Sequence, residues 1–185
     1  MKKLISGIVA VAMALSLAAC EKETKVISLS GKTMGTTYHV KYLDEGSMKA
    51  TSEKTHEEIE AILKDVNAKM STYKKDSELS RFNQNTQVNT PIEISADFAK
   101  VLAEAIRLNK VTEGALDVTV GPVVNLWGFG PEKRPEKQPT PEQLAERQAW
   151  VGIDKIALDM SGAKPTLSKA LPHLCRFVLD CESLW

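Results

Sequence analysis

The chain has 185 residues, of which 43% are hydrophobic and 26% charged, a composition typical of a globular domain and not of a disordered tail or a polytopic membrane protein. Lys plus Arg equal Asp plus Glu at 24 each, and without the lysines of the first three residues the balance is 22 against 24. No basic excess remains to neutralise a phosphate backbone, which disfavours nucleic acid as a partner. Three cysteines, at positions 20, 175 and 181, are too few for a disulfide framework.

Residues 1–19 have the pattern of a secretory signal peptide. Two lysines precede an apolar run over residues 4–18, which is shorter than the roughly 20 residues that cross a bilayer. The Leu-Ala-Ala sequence before Cys20 resembles a bacterial lipoprotein box, in which the cysteine is lipidated and becomes the mature N-terminus. An ordinary signal peptide with an incidental cysteine is the alternative. We predict an exported protein with a lipid on Cys20 and a tether over residues 20–27, and Glu21 leaves the choice of membrane open.

Strand and helix patterns alternate in the first half of the remaining chain. Residues 26–29 and 36–42 are short β-branched and aromatic runs that predict two strands separated by residues 31–35. Apolar residues at helical spacing from Ile59 to Met70, with glutamates early and lysines late, predict the first long helix.

Three later elements have local start and stop signals. Ser95 as N-cap predicts a second helix that ends before Gly114. Thr140 followed by proline predicts a third helix, which Gly152 closes. Residues 156–158 and 166–171 predict a hairpin with a Ser-Gly turn between its arms. This mixture of elements predicts an α+β fold.

The usual motifs of nucleotide-binding, zinc and serine-hydrolase sites are absent from the sequence. It contains no P-loop, no GxGxxG after a strand, no HExxH, no CxxC and no GxSxG. The three histidines, at positions 39, 56 and 173, are scattered. A standard hydrolase or zinc enzyme is therefore disfavoured.

Two loop segments are candidates for a binding site by composition. Residues 31–37 combine two glycines with hydroxyl groups, which could hold a phosphate or a carbonyl, or form a plain interstrand turn. Residues 70–83 place Tyr73 beside two lysines. This tyrosine could stack on a planar ring near anionic groups, or belong to a capped helix end.

In a third segment, residues 114–130, five residues alternate like a strand, and Asp117 is a charge in apolar company. A buried carboxylate at Asp117 needs hydrogen-bond donors, and an adenine amino group or a ribose hydroxyl would supply them. Trp127 and Phe129, each followed by glycine, are more typical of a core than of a platform for a ring.

Taken in order, these segments resemble the N-terminal half of ApbE-type FAD:protein FMN transferases, the family once named thiamine-biosynthesis lipoproteins. The resemblance covers residues 28–174, which we interpret as the N-terminal part of the flavin transferase domain. The motifs that carry it are Gly-Lys-Thr-Met-Gly-Thr at 31–36, Ser-Thr-Tyr at 71–73, Ser-Glu-Leu at 77–79, Phe-Asn at 82–83, residues 114–122 and Asn-Leu-Trp-Gly-Phe-Gly at 125–130.

The resemblance implies an α+β protein that binds FAD and Mg²⁺ and moves FMN onto a Thr or Ser hydroxyl of a target protein, releasing AMP. It implies targets among the flavoproteins of membrane redox complexes, and a location on the periplasmic side of the cell membrane, with the inner membrane favoured.

The resemblance also assigns FAD contacts to residues of this chain. Met34 and Tyr73 would pack on ring faces, and the segment Ala115, Leu116 and Asp117 would meet the cofactor, with Asp117 accepting from a sugar or adenine donor. An Asp117→Ala change would then weaken FAD binding and leave the fold intact. No catalytic residue and no metal ligand is assigned, because the acidic metal ligands of the family lie in its other half.

Residues 175–185 depart from the family pattern, and the fold is predicted to be incomplete at the C-terminus. Members of the family are roughly twice as long and continue after the hairpin with Val-Asp-Leu-Ser-(Ser/Ala)-Ile-Ala-Lys-Gly. A back-translation of residues 175–183, read from its second base, gives Val-Asp-Leu-Ser-Ser-Ile-Ala-Lys. We interpret residues 175–185 as an out-of-frame tail after a frameshift near Leu174, with a divergent short protein as the alternative. We expect this chain not to transfer FMN, and the second functional hypothesis is a non-catalytic, lipid-anchored binding or adaptor module.

Overall fold

The computed structural model describes residues 24–46, 50–132 and 135–172. The described residues divide into two compact units, residues 24–31 with 38–46 and 50–59, and residues 32–37 with 60–132 and 135–172. The predicted signal peptide with Cys20 and the predicted out-of-frame tail lie outside the described residues.

A β-hairpin opens the described chain. Strands β1 (Lys25–Thr33) and β2 (Thr36–Asp44) form a two-stranded sheet, as the β-branched and aromatic runs predict. Strand β1 is longer than predicted, so that the turn between the strands contains only Met34 and Gly35. Both turn residues have positive φ, 49° and 72°, the backbone that two-residue hairpin turns need to match the twist of their strands.

Helix α1 (Ser52–Met70) is the predicted first long helix. Within the first unit, Nε2 of His56 in this helix lies 2.9 Å from the hydroxyl of Tyr38 in β2, and the two rings meet edge to face. Among the described residues, no helix is both long and apolar enough to cross a membrane.

The core of the second unit forms where two helices pack on a small sheet. Helix α2 (Glu78–Gln84) and helix α3 (Ala96–Val111) contribute Leu79, Phe82, Phe98, Ala99 and Leu102, and the sheet side adds Ile94, Ile156 and Leu167. The predicted N-cap of α3 is confirmed, since the hydroxyl of Ser95 accepts from the Phe98 amide. The Glu78 carboxylate in turn accepts from the amide and the hydroxyl of Ser95, which fixes α2 to the start of α3.

The sheet of the second unit has three antiparallel strands in the order β3 (Ile92–Glu93), β5 (Thr166–Lys169), β4 (Ile156–Asp159). The predicted hairpin is confirmed, and Leu167 of its second arm pairs with Leu158 and with Ile92. Helix α5 (Pro141–Gln148) precedes the hairpin and begins at a capping box, in which Thr140 and Gln143 bond each other's backbone amides. Helices and antiparallel strands in this order confirm the α+β class.

One predicted element is wrong. The part of residues 114–130 that precedes helix α4 (Gly121–Leu126) is not a strand, since residues 114–119 are turns and irregular backbone and Val120 forms only an isolated bridge. Two observations explain the difference. Positive φ at Glu113 and Gly114 turns the chain out of α3, and a proline at the start of α4 favours helix over strand. The expected core position of Trp127 and Phe129 is also wrong, since these side chains are 41% and 61% exposed.

Candidate functional site

The predicted FAD contacts fall at three separate places in the second unit. Met34 lines one cavity, Tyr73 lines another, and Asp117 lies in a turn that borders neither of these cavities. Ala115, Leu116 and Asp117 are near one another because they are consecutive in sequence, and none of them lines the cavity of Met34 or that of Tyr73.

The Met34 cavity has a volume of about 750 Å³ and lies between the hairpin turn and one face of α1. Its lining includes Thr33, Thr36, Lys64 and Asn67. The side-chain oxygen of Asn67 is fully enclosed and, within the part of the chain that the structure describes, has no hydrogen-bond donor. An enclosed acceptor of this kind costs free energy unless a donor reaches it.

Tyr73 lies in the loop between α1 and α2, on the wall of a cavity of about 420 Å³. Tyr73 is 42% exposed. Three buried serines hold this loop. The Ser71 hydroxyl accepts from the Tyr73 amide at 3.2 Å, and the hydroxyls of Ser77 and Ser80 donate to the Ser71 carbonyl at 2.5 and 3.2 Å. The position of the tyrosine is thus set by bonds that its sequence neighbourhood did not reveal.

A third cavity, of about 630 Å³, shares four lining residues with the Tyr73 cavity: Asn83, Gln84, Asn125 and Glu132. At its other wall the Arg147 guanidinium lies 4.2 Å from the centre of the Trp150 ring, an attractive cation–π arrangement. The sequence did not mark this pair.

Asn125 is the shared residue with the least exposure, 7%. Among the described residues no donor or acceptor pairs with its carboxamide. The carboxamide packs against Gly130, where an added Cβ would lie 1.7 Å from Oδ1 of Asn125. Sequence reasoning included Asn125 only as part of the motif at residues 125–130 and gave it no role.

Asp117 holds two distant turns together. Its Oδ1 accepts from the amide and the hydroxyl of Thr119 at 2.8 and 2.6 Å, and its Oδ2 accepts from the Ile153 amide at 3.2 Å. Thr119 is fully buried, and its hydroxyl accepts from the Gly152 amide at 2.8 Å. A carboxylate has about four acceptor sites, so three internal donors leave room for one from a ligand.

Leu116 and Ala115, the other two predicted contacts, are exposed. The carbonyl of Leu116 accepts from the Asn109 side chain at 2.7 Å, which ties this turn to the end of α3. Main-chain groups of the segment are consequently presented at the surface in a fixed position.

A buried cation bonds the backbone of Asn83, a residue that lines the third cavity. Lys169 of β5 is 1% exposed, and its ammonium donates to the carbonyls of Phe82 and Asn83 at 3.1 and 3.4 Å. These are carbonyls of the last turn of α2, where the helix dipole favours positive charge. Lys169 supports the wall that carries Asn83, and nothing in its local sequence indicated this.

One lysine near the surface forms ion pairs with two carboxylates. Lys69 at the end of α1 contacts Asp65 and Asp97 at 2.5 and 2.6 Å, and these hydrogen bonds raise the pKa of Lys69 and lower that of Asp97. In the described ranges, no group of three His, Cys, Asp or Glu side chains is arranged to hold a metal ion.

Comparisons with known proteins agree with the fold. The model of the ApbE family matches residues 34–175. A Haemophilus influenzae protein named FAD:protein FMN transferase is 92% identical over 94% of this chain and 50% of its own length, and a Vibrio cholerae protein of the same name is 52% identical over 90% and 48%.

Solved structures give the same family. The flavin transferase ApbE of Vibrio cholerae superposes with a TM-score of 0.76 at 51% identity, over 86% of this chain and 48% of that one. The flavinyl transferase ApbE of Pseudomonas stutzeri superposes with a TM-score of 0.74 at 34% identity, over 82% and 47%. The chain spans about half the length of the curated relatives it matches, and it belongs to the ApbE family.

Proposed function

We propose that the chain carries the FAD-binding part of an FAD:protein FMN transferase. The observation that carries this proposal is the Tyr73 cavity, which is lined by the 42% exposed Tyr73 and by the buried Asn125, whose carboxamide bonds no described residue. Ligand cavities of 300–1,000 Å³ with a few placed polar groups are typical of small-molecule and cofactor sites. The relatives' names support a flavin as the ligand.

The reaction we propose for the complete enzyme is a phosphoryl transfer. The hydroxyl oxygen of a Thr or Ser in the target forms a bond to the phosphorus of the FMN half of FAD, the bond between the two phosphates breaks, and AMP leaves. The hydroxyl proton passes to solvent water in the same step, since no described residue is assigned as the base. This chain's own residues would bind and orient FAD, with Tyr73 and Met34 on ring faces and one free acceptor site of Asp117 for a sugar or adenine donor.

Mg²⁺ belongs to this proposal only outside the described residues. The part of the chain that the structure describes does not fit such a site, since it contains no three-residue cluster of suitable ligands. We therefore assign no step to the metal here, and we propose that its ligands lie in the other half of full-length family members.

We also propose that the protein is a periplasm-facing lipoprotein, anchored through Cys20 and acting on flavoproteins of membrane redox complexes. The lipoprotein box before Cys20 supports this, and stable anchoring takes more than one acyl chain. A Cys20→Ala variant should move from the membrane fraction to the soluble fraction. A variant that stays wholly with membranes would contradict the anchor.

A second candidate function is a non-catalytic binding or adaptor module. The two are separated by titrating the purified chain with FAD and measuring AMP release with Mg²⁺ and a target protein. The Haemophilus influenzae relative is the positive control. We expect saturable FAD binding without AMP release from this chain. Absence of FAD binding would reject the flavin proposal, and AMP release would show that this half is sufficient.

A further inference from the structure

Asn125 is a buried polar residue whose carboxamide makes no hydrogen bond with a described residue. It is buried, it lines both adjoining cavities, and no described residue bonds its carboxamide. The one fully enclosed side-chain atom without a partner in the described residues is Oδ1 of Asn67, so both polar atoms of the Asn125 carboxamide keep access to the cavities. A ligand with matching groups would supply this carboxamide with hydrogen bonds that no described residue supplies.

Gly130 makes the room that this carboxamide occupies. Its φ is not positive, so backbone conformation does not require glycine there. An added Cβ would instead lie 1.7 Å from Oδ1 and 2.8 Å from Cγ of Asn125. The glycine is needed for the position of the asparagine side chain, and any larger residue would displace it.

A carboxamide presents an acceptor and donors side by side. Its complement is a planar heterocycle edge on which an N–H adjoins a carbonyl, or a ring nitrogen adjoins an amino group. The same cavity is lined by Tyr73, an aromatic residue that is 42% exposed. An aromatic face beside an unpaired amide is the combination that recognises such a heterocycle.

We propose that Asn125 reads the edge of the flavin ring of FAD, pairing with the ring N–H and an adjoining carbonyl while the ring stacks on Tyr73. This inference rests on the proposed function. The adenine of FAD has a similar edge, but Asn125 shares its cavity with Tyr73 and not with Asp117, the residue that the family resemblance assigns to the adenosine part.

The test compares the affinities of the purified chain for FMN, which contains the flavin alone, and for AMP, which contains the adenine alone. Asn125→Asp keeps the shape and removes the N–H donors, and Asn125→Leu removes all polar atoms. Asn89→Asp is the matched control, because Asn89 is exposed, has a left-handed φ of 50° that Asp tolerates, and undergoes the same charge change. We expect both Asn125 variants to bind FMN about ten- to a hundredfold more weakly, with AMP binding and the control unchanged.

A ligand variant tests the same bond without altering the protein. FMN methylated on the ring N–H should bind the unaltered chain at least about tenfold more weakly than FMN. Asn125→Leu, once shown to be folded by circular dichroism, should bind the two flavins equally. A purely structural role of Asn125 would lower the affinity for both flavins by the same factor.

Three results would overturn the assignment. If AMP binding falls in the Asn125 variants and FMN binding does not, the edge that is read is adenine. If the unaltered chain binds FMN and neither the variants nor the methylated flavin changes the affinity, Asn125 has no part in recognition, and the proposed function stands without it. If the unaltered chain binds neither FMN nor FAD, the proposed function and this assignment fail together.

Discussion

Replacing Thr119 by valine tests whether the bridge between the 114–120 turn and residue 152 holds this part of the fold. Valine has the shape of threonine without its hydroxyl. The change removes the 2.6 Å bond to the Asp117 carboxylate and leaves the Gly152 amide without its acceptor. A hydrogen bond to a charged group contributes about 1.5–3 kcal/mol, and an unsatisfied buried amide costs about 1–3 kcal/mol. We expect the free energy of unfolding to fall by about 2.5–6 kcal/mol.

The measurement is thermal and urea unfolding of the purified chain, followed by circular dichroism. For a chain of this size, 1 kcal/mol shifts Tm by about 2–4 °C, so the expected fall is roughly 5–24 °C. Thr119→Ser is the control, since it keeps the hydroxyl and should lose no more than about 1 kcal/mol. A Thr119→Val chain within about 0.5 kcal/mol of the unaltered chain would refute the bridge. Because Asp117 bonds the same groups, we expect Asp117→Ala to lower stability as well as FAD affinity, contrary to the intact fold that the family resemblance implied.

Three further outcomes follow from other side chains. Lys169→Met should lower the free energy of unfolding by at least about 1–3 kcal/mol, because the carbonyls of the last turn of α2 lose a buried donor; Lys169→Arg should recover part of the loss, and urea midpoints that do not differ would contradict the role. Asn67→Leu should raise Tm, because it removes an enclosed acceptor that has no donor among the described residues; a fall in Tm would indicate a partner that supports it. The pKa of Asp97 is lowered by its bond to Lys69, so the stability from this pair is present above the ordinary Asp pKa of 3.8 and is lost as the pH falls through the lower folded value; Asp97→Asn should reduce the slope of stability against pH below pH 4, and an unaltered slope would show that the pair contributes nothing.

The elements that sequence reasoning predicted are those with signals close in sequence. The capping serine of α3 bonds an amide three residues later, and the capping box of α5 is equally local. The alternation over residues 114–120 predicted a strand because it records polarity and not hydrogen bonding. Asp117 captured the backbone amide two residues later and another 36 residues later, and these bonds outweighed the pattern.

The parts of the candidate site that were missed depend on contacts between distant residues. Lys169 bonds a carbonyl 87 residues away, and an isolated lysine in a strand resembles any solvated lysine. Asn125 was inside a marked motif, but its burial, its missing partner and the space provided by Gly130 exist only in the folded chain. Met34 and Tyr73 were identified through the family resemblance, and the structure places them on two different cavities.

Met34 shows a trade between stability and an available side chain. It adopts a φ of 49° at the tip of the hairpin, a conformation that costs a residue with a Cβ roughly 1–2 kcal/mol. Asparagine before glycine is the sequence that such a turn prefers, and it would make the hairpin more stable. Asparagine would also replace the only thioether among the described residues that line the Met34 cavity with a short amide. Methionine at this position therefore places a polarisable thioether on the cavity wall, and the turn is less stable than one built from asparagine and glycine.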